Sequence, residues 1–131
     1  MGTLAARLIL DSGAVIAWQR WRRPVLSYVV EAMERGMPIV IPAVVLTECA
    51  RGGPSDARIH RLLAAARVPV VGARIALDAG RLLGETGMHA TVDALVAAEA
   101  IRGGPCVVLT TDPADLGALI GKRPYVQVMA V

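Results

Sequence analysis

The stretch Arg7-Leu8-Ile9-Leu10-Asp11-Ser12-Gly13 runs a short, continuously apolar segment into an acid and a turn. A run of this length without polar alternation predicts a strand buried on both faces, inside a parallel sheet covered by helices. Four more runs of the same kind follow: Pro38 to Ile41, Val68 to Val71, Cys106 to Leu109 and Tyr125 to Met129. Segments with helical spacing lie between them. Val25, Tyr28, Val29, Ala32 and Met33 precede Gly36; Ile59, Leu62, Leu63 and Ala66 follow Pro54-Ser55; Ile75, Ala79, Leu82 and Leu83 precede Gly87. Glycine suits such helix ends because it adopts the left-handed closing conformation at least cost. The alternation predicts an α/β fold, a three-layer α/β/α sandwich around a five-stranded parallel sheet.

At 131 residues the chain has the length of one domain, spanning 1–131. With 55% hydrophobic and 19% charged residues it has ample apolar material for a core, which excludes a disordered linker. Two Trp, two Tyr and no Phe mean that the core is built from Ala, Val, Leu and Ile. The longest apolar stretch, Met37 to Leu46, is broken by Pro38 and Pro42 and falls short of the roughly 18 to 20 residues of a membrane span. No leader-like or lipidation pattern precedes Arg7. Cys49 and Cys106 lack C-x-x-C spacing and sit among apolar residues. They read as buried thiols of a reducing, cytoplasmic compartment, with no zinc site.

In open α/β sheets ligands bind outside the carboxyl ends of the strands, so acids placed there carry the functional question. Asp11 ends the first strand, and it also suits the N-cap of a helix starting near Ala14. Asp112 and Asp115 follow Val107-Val108-Leu109-Thr110-Thr111, where a cap and a first-turn acid are again possible. Glu48 lies in the apolar segment Pro42 to Ala50, and Asp93 in Thr91 to Ala98 with Thr91 as the expected cap. A lone acid in such surroundings must point outward or meet a cation, because an isolated buried charge costs several kcal/mol. A metal ion satisfies all of these acids at once, and an all-oxygen set without His or Cys suits a hard cation such as Mg²⁺. Glu31 and Glu34 beside Arg35, and Glu99 before Arg102, read as solvated helix faces, and His60 and His89 as surface residues.

The ordered motifs resemble those of the PIN domain, in particular the VapC-type ribonuclease toxins of bacterial toxin–antitoxin pairs, over essentially the whole chain. Leu8-Ile9-Leu10-Asp11-Ser12-Gly13 is similar to the family's first motif, an apolar strand ending in aspartate followed by a small hydroxyl residue. Thr47-Glu48 resembles the glutamate motif, and Asp93-Ala94-Leu95-Val96-Ala97-Ala98 the helix motif with the third acid. Leu109-Thr110-Thr111-Asp112-Pro113-Ala114-Asp115-Leu116 is similar to the last motif, with Leu116 where the family often has Phe. The resemblance implies a sheet in order 3-2-1-4-5, a magnesium or manganese site, RNA cleavage, a small cognate antitoxin and a homodimer.

On this reading Asp11, Glu48, Asp93 and Asp112 are the catalytic acids, with Asp115 joining them as a metal ligand. Ser12, Thr110 and Thr111 are candidates to orient the carboxylates by hydrogen bonds. Attack by a metal-activated water predicts 5′-phosphate and 3′-hydroxyl ends. The net charge of +3 then gains meaning: eleven acids less these five leave six, against fourteen basic residues. A basic surface around an acidic metal site suits a phosphodiester. Trp18, Arg20, Trp21, Arg22 and Arg23 form the densest basic and aromatic patch, fit either to stack on unpaired bases or to pack on a helix or antitoxin. The alternative from another class is a catalytically silent module that binds RNA or protein through the same fold. Phosphoryl-transfer enzymes of haloacid-dehalogenase or receiver type fit less well, because Gly13 stands where the former needs aspartate and Lys122 is the only lysine.

Overall fold

A computed structural model describes residues 7–131. The sequence reading of residues 1–6, including the absence of a leader or lipidation pattern, lies outside the described residues. Five parallel strands make one sheet: β1 (Leu8–Leu10), β2 (Ile39–Val40), β3 (Ala66–Arg67), β4 (Cys106–Thr110) and β5 (Val126–Ala130). Their order is β3-β2-β1-β4-β5, so β1 lies at the centre and its neighbours run away from it in both directions. Every residue of β1 is buried, as its unbroken apolar run requires.

The helices are α1 (Ser12–Gln19), α2 (Arg23–Glu34), α3 (Leu46–Cys49), α4 (Ala57–Ala64), α5 (Ala73–Thr86), α6 (Thr91–Arg102) and α7 (Pro113–Ile120). They complete the three-layer arrangement in two packed groups, α1 with α2, α3 and α4, and α5 with α6 and α7. The core is finely grained, with Ile9, Leu10, Ile41, Ile59, Leu62, Leu109, Leu116 and Leu119 as its largest fully buried side chains. Helix α6 buries Ala94, Val96, Ala97, Ala98 and Ala100, and such small residues let it lie close to its neighbours. Cys49 and Cys106 are buried free thiols. Among the described residues no helix is long and apolar enough to cross a membrane.

The third strand departs from expectation. It is Ala66–Arg67 rather than Val68–Val71, and Ala66, expected in the preceding helix, pairs with Ile39. The partner explains the change. Pro38 and Pro42 confine β2 to Ile39–Val40, so an edge strand pairing with it in register has the same short span. The chain continues beside β2 through Ile41 N–H to Arg67 O and Ala43 N–H to Pro69 O, then leaves with Val70 and Val71 exposed. Thr91 is also not the cap of α6: Ala90 holds that position and no side chain caps the helix.

Candidate metal centre

The sheet register builds the site. Leu10 pairs with Leu109 across β1 and β4, so Asp11 and Thr110, one residue further on, emerge side by side. The Thr110 hydroxyl donates to Asp11 Oδ2 at 2.8 Å, and the Ser12 backbone N–H donates to Asp11 Oδ1 at 2.8 Å. Both oxygens of this buried carboxylate are therefore oriented. The same hydroxyl accepts the Asp112 backbone N–H at 2.9 Å, so one side chain holds Asp11 beyond β1 and the backbone beyond β4. Asp11 is also the N-cap of α1, so the capping and site readings coincide in one residue.

Asp93, in the first turn of α6, and Asp112 and Asp115, at the start of α7, offer carboxylate oxygens that all lie within 4.8 Å of one another. Glu48, in α3, is exposed at the same rim. Electrostatics show all five acids sharing one field. Asp93 is pushed up from 3.8 to about 6 by burial first, then by the charges of Asp11, Asp112, Asp115 and Glu48. Burial likewise raises Asp11, against the Thr110 and Ser12 hydrogen bonds, with Glu48 and Asp112 adding to the rise. The Asp112 charge is the main cause of the raised Asp115. Like charges held this close call for a counter-cation, and an all-oxygen donor set without histidine or thiolate suits a hard divalent ion.

The candidates for orienting carboxylates divide. Thr110 bonds Asp11 directly, whereas Ser12 contributes its amide rather than its hydroxyl. Thr111 bonds no carboxylate among the described residues; its side chain rests on Gly13, where any Cβ would collide with it. Cys49 donates its S–H to the Ser12 carbonyl at 3.5 Å, and its thiol is pushed up to about 11 by burial and by Glu48 and Asp11. His60 and His89 are exposed.

The basic and aromatic patch is divided too. Trp18 turns inward, its indole N–H donating to the Arg58 carbonyl at 3.0 Å, while Trp21 stays 46% exposed. Arg20, Arg22 and Arg23 are exposed. A groove of about 810 Å³ is lined by Trp21, Glu48, Arg51 and Arg58, among others. Asp56, which the sequence reading passed over, braces one wall: its carboxylate accepts the Arg51 N–H at 3.0 Å and the Gly52 N–H at 2.7 Å. The cluster Gly52-Gly53-Pro54-Ser55-Asp56 was its signal, a turn with an acid positioned to bind its own backbone.

No protein-family model matches the sequence, and no curated protein is similar to it. The fold, by contrast, is shared with solved structures. A chain of VapBC2 from Rickettsia felis, bound to a DNA fragment from its promoter, superposes with a TM-score of 0.71 at 14% identity, covering 95% of this chain and 98% of that one. DNA-bound VapBC from Salmonella typhimurium gives 0.68 at 15% identity over 95% and 97%. A toxin–antitoxin complex from Klebsiella pneumoniae gives 0.67 at 19% identity over 91% and 94%. The architecture is PIN-like, with the strand order 3-2-1-4-5 that the motif resemblance implied.

Proposed function

We propose that this chain is a metal-dependent endoribonuclease of the VapC toxin type, hydrolysing RNA to leave 5′-phosphate and 3′-hydroxyl ends and held in check by a cognate antitoxin. The observation that carries the reading is the convergence of three carboxylates from α6 and α7 within 4.8 Å, with Asp11 and Glu48 in the same field. The shared fold with chains of toxin–antitoxin complexes supports it.

Asp93, Asp112 and Asp115 would hold Mg²⁺ or Mn²⁺, with Asp11 and Glu48 completing the site directly or through water. When bound, such an ion lowers the pKa of a water and offsets charge on the attacking and leaving oxygens of the phosphodiester. The protein's own part is positioning. Thr110 and the Ser12 amide fix both oxygens of Asp11; the Thr110 bond to Asp11 joins the two ligand-bearing strand ends, and the Asp112 amide bonded to the same hydroxyl fixes the backbone beyond β4. Basic residues around the rim hold the RNA backbone and leave the acids to the scissile phosphate. The reading includes a homodimer in the cytoplasm, where Cys49 and Cys106 remain free thiols.

End-group analysis of unstructured RNA treated with the purified chain tests the chemistry. Products with 5′-phosphate and 3′-hydroxyl ends, formed with Mg²⁺ or Mn²⁺ and absent in EDTA, are expected. Cyclic-phosphate ends would mean attack by the ribose 2′-hydroxyl and would contradict the proposed role of the acids. RNA or antitoxin binding without cleavage under all metal conditions would favour the silent module instead.

A further inference from the structure

Helices α1 and α2 end in the same hydrogen-bonded turn, built from different residues. At the end of α2, Gly36 N–H donates to Met33 O and Met37 N–H donates to Ala32 O, with Gly36 at φ +67°. At the end of α1, Trp21 N–H donates to Trp18 O and Arg22 N–H donates to Ala17 O, with Trp21 at φ +54°. This closing position favours glycine because a Cβ is strained there, and among the described residues Trp21 is the one non-glycine with positive φ. The chain thus places its bulkiest side chain where its own second copy of the turn has none. Core packing does not account for it, since nearly half of Trp21 remains in solvent while Trp18 does the inward packing. Strain of this kind, kept at an exposed aromatic, points to a ring displayed for contact.

The surroundings identify the contact. Arg58 stacks on the Trp21 ring, its guanidinium carbon 4.6 Å from the centroid, and the Trp18 ring steadies it at 5.7 Å. Trp21 lines the groove with Arg20, Arg51, Arg58 and Arg61, and the single acid among the described residues of that lining is Glu48, whose charge is felt by Asp11 and Asp93. Arg51 is pinned by the carbonyls of Thr47, Glu48 and Ala50, so it supplies fixed positive charge. A displayed indole in a basic groove that shares Glu48 with the proposed cleavage site matches single-stranded nucleic acid, with cations for the backbone and an aromatic face for a base.

We infer that Trp21 is a stacking platform for an unpaired base of the RNA strand, holding it in the Arg20, Arg58 and Arg61 groove while a neighbouring phosphate lies at the acids. This assignment rests on the ribonuclease reading and adds to it a positioning residue and a demand for unstacked RNA. Trp18 has no such role.

The test uses the full chain in EDTA, so that binding is read without cleavage. Trp18→Phe leaves Trp21 as the sole tryptophan, and titration with short oligouridylate or oligoadenylate should quench its fluorescence. Trp21→Gly should bind the same oligonucleotides about tenfold or more weakly, while Trp21→Phe stays close to the wild type. Because glycine relieves the turn, Trp21→Gly should melt no lower than the wild type. A ring that serves only packing predicts the reverse pair, a lower melting temperature with unchanged RNA affinity, and that result overturns the inference. Quenching by oligoglutamate but not by RNA also overturns it and gives the groove to an acidic protein segment. Cleavage separates the two readings. Wild-type and Trp21→Gly chains cutting RNA with equal kcat/KM would remove the platform and leave the nuclease. Oligonucleotide affinity lost in Trp21→Gly but kept in Trp21→Phe, with no cleavage by any form, would keep the platform and remove the nuclease.

Discussion

The Thr110 hydroxyl donates to Asp11 Oδ2 at 2.8 Å across 99 positions of sequence, joining the ends of two neighbouring parallel strands. Parallel pairing of Leu10 with Leu109 makes this contact a consequence of register, because the next residue on each strand must emerge beside the other. The hydroxyl is used twice, since it also accepts the Asp112 amide. One buried side chain thus sets the orientation of one candidate ligand and the backbone of another.

Thr110→Val keeps the shape of this side chain and removes both hydrogen bonds. Loss of an orienting partner weakens metal binding by about 10- to 100-fold. Calorimetry with Mn²⁺ should show that loss while circular dichroism remains that of the wild type. Unchanged Mn²⁺ affinity would mean that Asp11 needs no such orientation.

Gly13→Ala should destabilise the fold. Its Cβ collides with the Thr111 side chain, and overpacking of this kind costs about 1–3 kcal/mol. Urea unfolding measures it, and Gly13→Ala in a Thr111→Ala background, which removes the colliding hydroxyl and methyl, should recover part of the loss.

Asp93 makes stability depend on pH in the metal-free protein. Its folded pKa of about 6 lies above the ordinary 3.8, so between these values the folded state holds the proton more tightly than the unfolded chain. The contribution of the protonated carboxyl is fully present below about 3.8 and is lost as pH rises to about 6. Asp93→Asn, which cannot charge, should therefore be more stable than the wild type at pH 7 in EDTA. The gain is about 1–2 kcal/mol, because solvent screens the part-exposed carboxylate. The two proteins should converge at pH 4. A stability gain at pH 7 together with lost cleavage separates a ligand from a structural acid.

Asp56 has the opposite sign. The Gly52 and Arg51 amides hold its carboxyl below the ordinary range, so its contribution is present above that range and is lost as pH falls through the lowered folded value. Asp56→Asn should lower the urea midpoint at pH 7 and differ little from the wild type in acid. Equal midpoints at pH 7 would show that the Arg51–Gly52 turn holds itself.

Much of this was legible in the sequence because strand ends and acids coincide. The buried central strand is continuous in apolar residues, so Leu8–Leu10 and the position of Asp11 beyond it could be read directly, as could Asp112 and Asp115 beyond β4. The third strand could not. An edge strand takes its length from its partner, and the proline limits on β2 outweighed the stronger apolar run at Val68 to Val71. The division between Trp18 and Trp21 was hidden for a similar reason. Three residues apart, they share a helical face only while the helix continues, and the left-handed turn at Trp21 sends the second ring outward. Asp56 was passed over because a turn acid bonding its own backbone leaves no periodic mark.

The central claim is that Asp93, Asp112 and Asp115, with Asp11 and Glu48 in the same field, form a metal centre that cuts RNA. The most direct measurement follows unstructured RNA incubated with the purified chain in Mn²⁺, Mg²⁺ or EDTA, beside Asp11→Asn and Asp93→Asn. The account predicts cleavage by the wild type with either metal, none in EDTA, and none by the folded variants with metal present. Cleavage that persists in EDTA, or in either variant at the wild-type rate, would contradict it.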